Sequence, residues 1–88
     1  MENDKTKTIT PKVGNMYWAF AHGKIGFNNL TAFKIISVDE NEAVCLETDT
    51  YKKAKFIKND NDEWWTENKE FKLDIDNSML DHLESLFD

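Results

Sequence analysis

Apolar and polar positions alternate most clearly over Thr31–Thr50, TAFKIISVDENEAVCLETDT. Two apolar, β-branched runs flank a polar tip, Asp39-Glu40-Asn41-Glu42, which is the pattern of a β-hairpin. Asn41 is the tip residue best able to take a left-handed conformation. Two registers compete. A three-residue turn with Asn41 left-handed puts Ile36, Val38, Val44 and Leu46 on one face. A two-residue turn at Glu40-Asn41 pairs Lys34 with Glu47 and Val38 with Ala43. The first is preferred, because it gathers the four largest aliphatic choices on one side. On that register a carboxylate placed at Ile36 or Val44 unfolds the protein. The second face, Phe33, Ile35, Ala43 and Cys45, is apolar as well. Such a sheet needs cover on both sides, by curling into a barrel or by a helix.

The same alternation predicts a first strand within Val13–Ala21, where Met16, Trp18 and Phe20 alternate with Tyr17 and Ala19. Ala21–Asn29 is a loop marked by Gly23, Gly26 and Asn28-Asn29. Ile25 and Phe27 inside it predict a tip that packs back or touches a partner. The hairpin follows, with strands Ala32–Val38 and Ala43–Thr48. Lys53–Lys58 is a fourth strand, and Asn59-Asp60-Asn61-Asp62 a turn. Glu63–Thr66, continued over Glu70–Ile75, is the fifth. The period then changes. Met79, Leu80, Leu83, Leu86 and Phe87 fall on one helical stripe, and Asp76-Asn77-Ser78 offers capping oxygens before it. A helix of about ten residues is too short to stand alone. It is expected to dock over Phe33, Ile35 and Cys45 and to cover the outer aromatics.

The fold class expected is therefore mainly β (α+β): a small, bent, five-stranded antiparallel sheet or barrel with one C-terminal helix. The pattern is similar in style to SH3-like small barrels, at the level of fold alone. Residues 1–11 read as a flexible N-terminal arm ending at Pro11, the only proline. Residues 12–88 read as one small domain.

Charge changes the picture more than size does. The 88 residues carry a net charge of −6, and every basic side chain is lysine. Residues 1–58 hold nine lysines and seven acids, net +2; residues 59–88 hold ten acids and two lysines, net −8. Such asymmetry marks an interaction surface or serves solubility. The absence of arginine argues against nucleic-acid recognition, where its bidentate fork is most used. The lysine-, asparagine- and isoleucine-rich style fits an AT-rich genome, such as a low-GC bacterium or its phage. The start, MENDKTKTITPK, has no apolar run, so no secretory signal is expected. No stretch is long enough to span a membrane, and a cytoplasmic location follows as the expectation.

Catalytic chemistry finds no foothold. The two histidines, His22 and His82, lie far apart with no ligand at metal spacing. Asp60-Asn61-Asp62-Glu63 lacks the central glycine and distal glutamate of a calcium loop. The serines have no nucleophile-elbow context, and no glycine-rich phosphate loop is present. Cys45, the single cysteine, sits in an apolar strand and reads as a small buried hydrophobe. Neither an enzyme, a metal nor a cofactor is expected. The adjacent Trp64 and Trp65 point to opposite faces of a strand, so one needs a cover or a partner. We therefore expect Asp60, Asp62, Glu63, Glu67 and Glu70 to form one acidic edge with Trp64 or Trp65, and this edge to meet a basic host protein. A phage- or mobile-element-encoded inhibitor that occupies a basic, nucleic-acid-binding site has this composition. One alternative is a nucleic-acid-binding barrel using Lys52, Lys53, Lys55 and Lys58 with an exposed tryptophan. Another is a small-ligand or nucleotide-binding protein that stacks its ligand on aromatics.

Overall fold

The computed structural model describes residues 10–86. The N-terminal arm as far as residue 9, and Phe87 of the helical stripe, lie outside the described residues. Six strands follow in order: β1 (Met16–Ala21), β2 (Leu30–Val38), β3 (Glu42–Glu47), β4 (Lys53–Lys58), β5 (Trp64–Thr66) and β6 (Phe71–Leu73). Among the described residues one helix, α1 (Ser78–Ser85), follows β6, and a single 3-10 turn (Phe27–Asn29) precedes β2. Every strand is antiparallel to the next, and β6 pairs with β1, so the strand order closes into a barrel. The sequence counted five strands because it ran Glu63–Thr66 and Glu70–Ile75 together. They are two strands with a tight turn between them.

That turn is built by two side chains, Thr66 and Asn68, whose Oδ1 accepts the Glu70 amide at 3.0 Å. Thr66 Oγ1 accepts the amides of Glu70 (2.9 Å) and Phe71 (3.0 Å) and donates to Asn68 Oδ1 (2.8 Å). Lys69 takes a left-handed conformation, φ 60°. The β4–β5 turn is made the same way: Asn59 Oδ1 accepts the amides of Asn61 (2.9 Å) and Glu63 (3.0 Å).

The hairpin register is the chief correction. Val38 pairs with Ala43, Ile35 with Cys45 and Lys34 with Leu46, with a bulge at Ile36. Asn41 is not among the left-handed residues. The two-residue turn at Glu40-Asn41 is the one that forms near the tip, where Asp39 N donates to Glu42 O at 2.7 Å. The bulge then shifts the far half by one residue. The core is therefore the face holding Phe33, Ile35, Ala43 and Cys45, joined by Ala19, Phe56, Trp64 and Leu73. Ile36 is 43% exposed, and Val44 and Leu46 lie half-buried on the outside.

Size explains the choice. Phe33 meets Phe56 edge-on at 5.1 Å and Phe71 at 5.6 Å. With three aromatic rings and Trp64 inside a six-stranded barrel, the facing positions must be small, and Ala19, Ala43, Cys45 and Ala54 fill them. Burial pushes the Cys45 thiol up to about 12, so it stays protonated as a small apolar side chain.

The helix does not dock over Phe33, Ile35 and Cys45, which are inside the barrel. Its Leu83 is buried, Met79 and Leu80 are half-buried, and Leu86 is 61% exposed. Its cap is in part the expected one: Asp76 Oδ1 accepts the amide of Ser78, the first helical residue, at 3.1 Å. Asn77 stands at the cap position, left-handed and without a side-chain bond to the helix. The carboxylate of Asp74, only 3% exposed, accepts Met79 N at 3.1 Å and Leu80 N at 2.8 Å. The Asp74 amide donates to Trp18 O at 2.8 Å, so this residue ties α1 to the barrel wall. Asp74→Ala should cost about 1–3 kcal/mol, because it removes the cap and orphans two amides. A urea melt that matches the parent's would show that α1 is held by other contacts.

Candidate functional site: the outer face of β5

β5 has three residues, and their side chains alternate. Trp64 and Thr66 are buried, and Trp65 points outward and is half-buried. Trp64, at 1% exposure, is part of the barrel core and cannot meet a partner at the surface. Of the two tryptophans, Trp65 is the one available to an interface.

Trp65 is fixed from three sides. Its indole Nε1 donates to Glu63 Oε1 at 3.2 Å. Ile57 lies beside it on β4, and Lys72 on β6. Beneath it the β1–β2 loop folds back: His22 N donates to Glu70 O, and Gly23 lies under the indole. A Cβ on Gly23 would sit 2.9 Å from Trp65 Cη2. The loop, not the terminal helix, is what packs on the outer tryptophan. Ile25 and Phe27 of the same loop remain exposed, at 37% and 60%.

Around the indole lies an open depression of about 510 Å³, lined by His22, Ile57, Asn59, Trp65, Glu67 and Lys69. His22 (φ 53°) and Lys69 (φ 60°) are both left-handed, an uncommon state for residues with a Cβ, and both stand on its rim. Its surface is largely apolar, with polar groups at the margin.

The five acids are not one continuous edge. Asp60, Asp62 and Glu63 belong to the β4–β5 turn, and Glu67 and Glu70 to the β5–β6 turn, at opposite ends of the three-residue strand. At a rise of roughly 3.3 Å per residue, Glu63 and Glu67 are about 13 Å apart along the backbone. Two of the five are already paired. Glu63 Oε2 lies 2.9 Å from Lys72 Nζ, and Asp62 lies 3.9 Å from Lys58 Nζ. Hydrogen bonds from Lys72, then Trp65 and Asn59, hold the Glu63 carboxyl below its usual range. Its contribution is thus fully present above the unfolded glutamate pKa, about 4.3, and is lost as pH falls through the lowered folded value. Asp60, Glu67 and Glu70 are exposed.

Pairing brings in neighbours that sequence order hides. Lys58 N donates to Asn41 O at 2.9 Å, which sets the β2–β3 tip beside the β4–β5 turn. Asp39 and Glu40, both exposed, therefore extend the acidic end of the barrel. Gly23 was legible as a turn signal, but not as the seat of Trp65. Among the described residues, no group of three or more His, Cys, Asp or Glu is placed to hold a metal ion. No described helix is long and apolar enough to cross a membrane. No family model, curated protein or solved structure matches this chain.

Proposed function

We propose that this chain is a non-enzymatic, acidic protein-binding module, of the kind a phage or mobile element encodes to inhibit a host protein in the cytoplasm. It occupies a basic, nucleic-acid-binding site on that protein. The observation that carries the reading is Trp65: a large aromatic ring held outward, seated on Gly23, bonded to Glu63 of one turn and bordered by Glu67 of the next. Rigid aromatic rings supply desolvated contact area, while surrounding charge supplies steering and orientation. The depression is lined by one lysine, Lys69, and one carboxylate, Glu67, while the exposed Asp60 and Glu70 belong to the two turns that bound β5. Lys53 and Lys55 of β4 share an open cleft with Glu67 and Glu70, and carboxylates beside the lysines weigh against a single-strand platform, which needs a positively charged groove.

The test is association rate against salt for a variant carrying Asp60→Asn, Glu67→Gln and Glu70→Gln. Asp62 and Glu63 are left alone because their ion pairs and turn bonds support the fold. With a basic partner, the triple variant should associate more slowly and with a flatter salt dependence. Trp65→Ala should weaken binding by about 2 kcal/mol or more. Unchanged rates, salt slope and affinity in variants that melt like the parent would move the interface off β5.

A further inference from the structure

The barrel wall is incomplete at one place. β4 has six residues and β5 three. β3 pairs with β4 from Lys53 to Ile57, but β5 pairs only with Phe56, Ile57 and Lys58. Beside Lys53–Lys55, where a longer β5 would lie, there is an open cleft of about 360 Å³. Phe33, Ala54 and Phe71, which pack in or against the core, form its floor. Lys52, Lys53 and Lys55 stand on one wall with Glu47 at its end beside Lys52, and Glu67 and Glu70 on the other.

The direction of the β4 backbone follows from its bonds to β3. Glu47 N donates to Lys52 O at 2.8 Å, and Lys58 N donates to Asn41 O at 2.9 Å. Even-numbered residues of β4 therefore turn their backbone groups toward β3. With a period of two, Lys53 and Lys55 turn theirs into the cleft. Lysines on such an edge can serve merely to discourage pairing. They do not explain why an apolar floor is left open beneath the edge.

We propose that this cleft takes an extended segment of a partner protein, added as a strand along Lys53–Lys55, with the sequence acidic–apolar–acidic at the three paired positions. Strand addition gives each main-chain group in the cleft a partner, and alternate side chains supply specificity. Ala54 points inward, so the residue opposite it enters the apolar floor. Residues opposite Lys53 and Lys55 point outward beside two ammonium groups, of which that of Lys55 also lies 3.9 Å from Glu42 Oε1. Directly opposed side chains are about 5 Å apart at Cβ, nearer than the glutamates of the far wall, so the lysines set the preferred sign. This cleft adjoins the Trp65 depression and shares Glu67 with it, but its β4 edge, Lys53–Lys55, lines the cleft alone.

The probe is a displayed library of random dodecapeptides selected against the whole chain. Enriched peptides should share an acidic–apolar–acidic triplet, and their amide shift changes should fall on Lys53–Lys55 and Glu67–Phe71. Lys53→Pro removes an amide that faces the cleft rather than β3, so it should leave the melt unchanged and weaken binding about tenfold. The pair Lys53→Glu and Lys55→Glu leaves the backbone edge intact and removes one partly exposed ion pair, Lys55–Glu42. It should shift selection to a basic–apolar–basic triplet, which decides the matter even if Lys53→Pro melts early. Any of four results overturns the proposal: no enrichment, a footprint on Trp65, triplets that ignore the charge reversal, or a concentration-dependent dimer of the chain abolished by Lys53→Pro. The last would give the edge to a second copy of this protein.

Discussion

Ile35→Asp is expected to unfold the protein, and Ile36→Asp, one position along, to leave it folded. Ile35 is 1% exposed and opposes Cys45 within the barrel cluster. A carboxylate there has no cation or donor among the apolar side chains that line the cluster. Burying an unpaired charge costs several kcal/mol or more, comparable with the whole stability of about 5–15 kcal/mol typical of a domain. Ile36 sits on the bulge and is 43% exposed, so the same change there should shift stability by no more than about 0.5–1 kcal/mol. Val44→Asp belongs with Ile36, because Val44 lies outside and opposes Lys55. The measurement is a cooperative thermal melt of all three variants. A folded Ile35→Asp with an unfolded Ile36→Asp would restore the opposite register.

Gly23→Ala should cost about 2–4 kcal/mol and lower the melting temperature by roughly 10 °C or more. Two terms combine. At φ 69° an alanine pays about 1–2 kcal/mol for the left-handed conformation. Its Cβ would also press 2.9 Å from Trp65 Cη2, so the indole must leave its seat. Gly14→Ala separates the terms, since Gly14 has φ 92° and nothing within 4 Å of a built Cβ. It should carry only the backbone cost. In a Trp65→Ala background, Gly23→Ala should fall to that same smaller value, since coupled neighbours are not additive. An identical cost in both backgrounds would mean that Gly23 and Trp65 do not touch.

How much of this was legible depends on which physical signal each element carried. The mainly β fold, the hairpin, the third and fourth strands and the terminal helix follow from periodicity. So does the burial of Cys45, from its apolar run. The hairpin register did not follow, because counting aliphatic volume ignores what a narrow barrel can hold. Ala43 and Cys45 win the interior over Val44 and Leu46 because Phe33 and Phe56 already fill it. The bulge at Ile36 leaves no mark in the sequence. β5 and β6 merged because Asn68-Lys69 lacks glycine, and the turn rests on Thr66 Oγ1, Asn68 Oδ1 and a left-handed Lys69.

The site was legible in part. The rule that adjacent strand residues face opposite ways required one tryptophan outside, but could not say which. Trp64 is inside because it continues the inward row of Phe56 and Leu73. The acids were readable as a local excess. Their division between two turns was not, because it depends on where β5 ends. Asp74 as the helix cap lay four residues upstream of the first helical residue, outside the local capping pattern. The cleft beside Lys53–Lys55 arises from unequal strand lengths, which no local signal encodes.

The most direct test of the acidic, Trp65-centred interface is site-specific photo-crosslinking in the cell the protein comes from. One reactive residue replaces Glu67, at the margin of the Trp65 depression. A control replaces Lys34, exposed on β2, which stands across the barrel from β5. The account predicts a discrete adduct with a basic protein from position 67, absent from position 34 and lost on Trp65→Ala. An adduct from position 34 alone, or one from position 67 that survives Trp65→Ala undiminished, would contradict it.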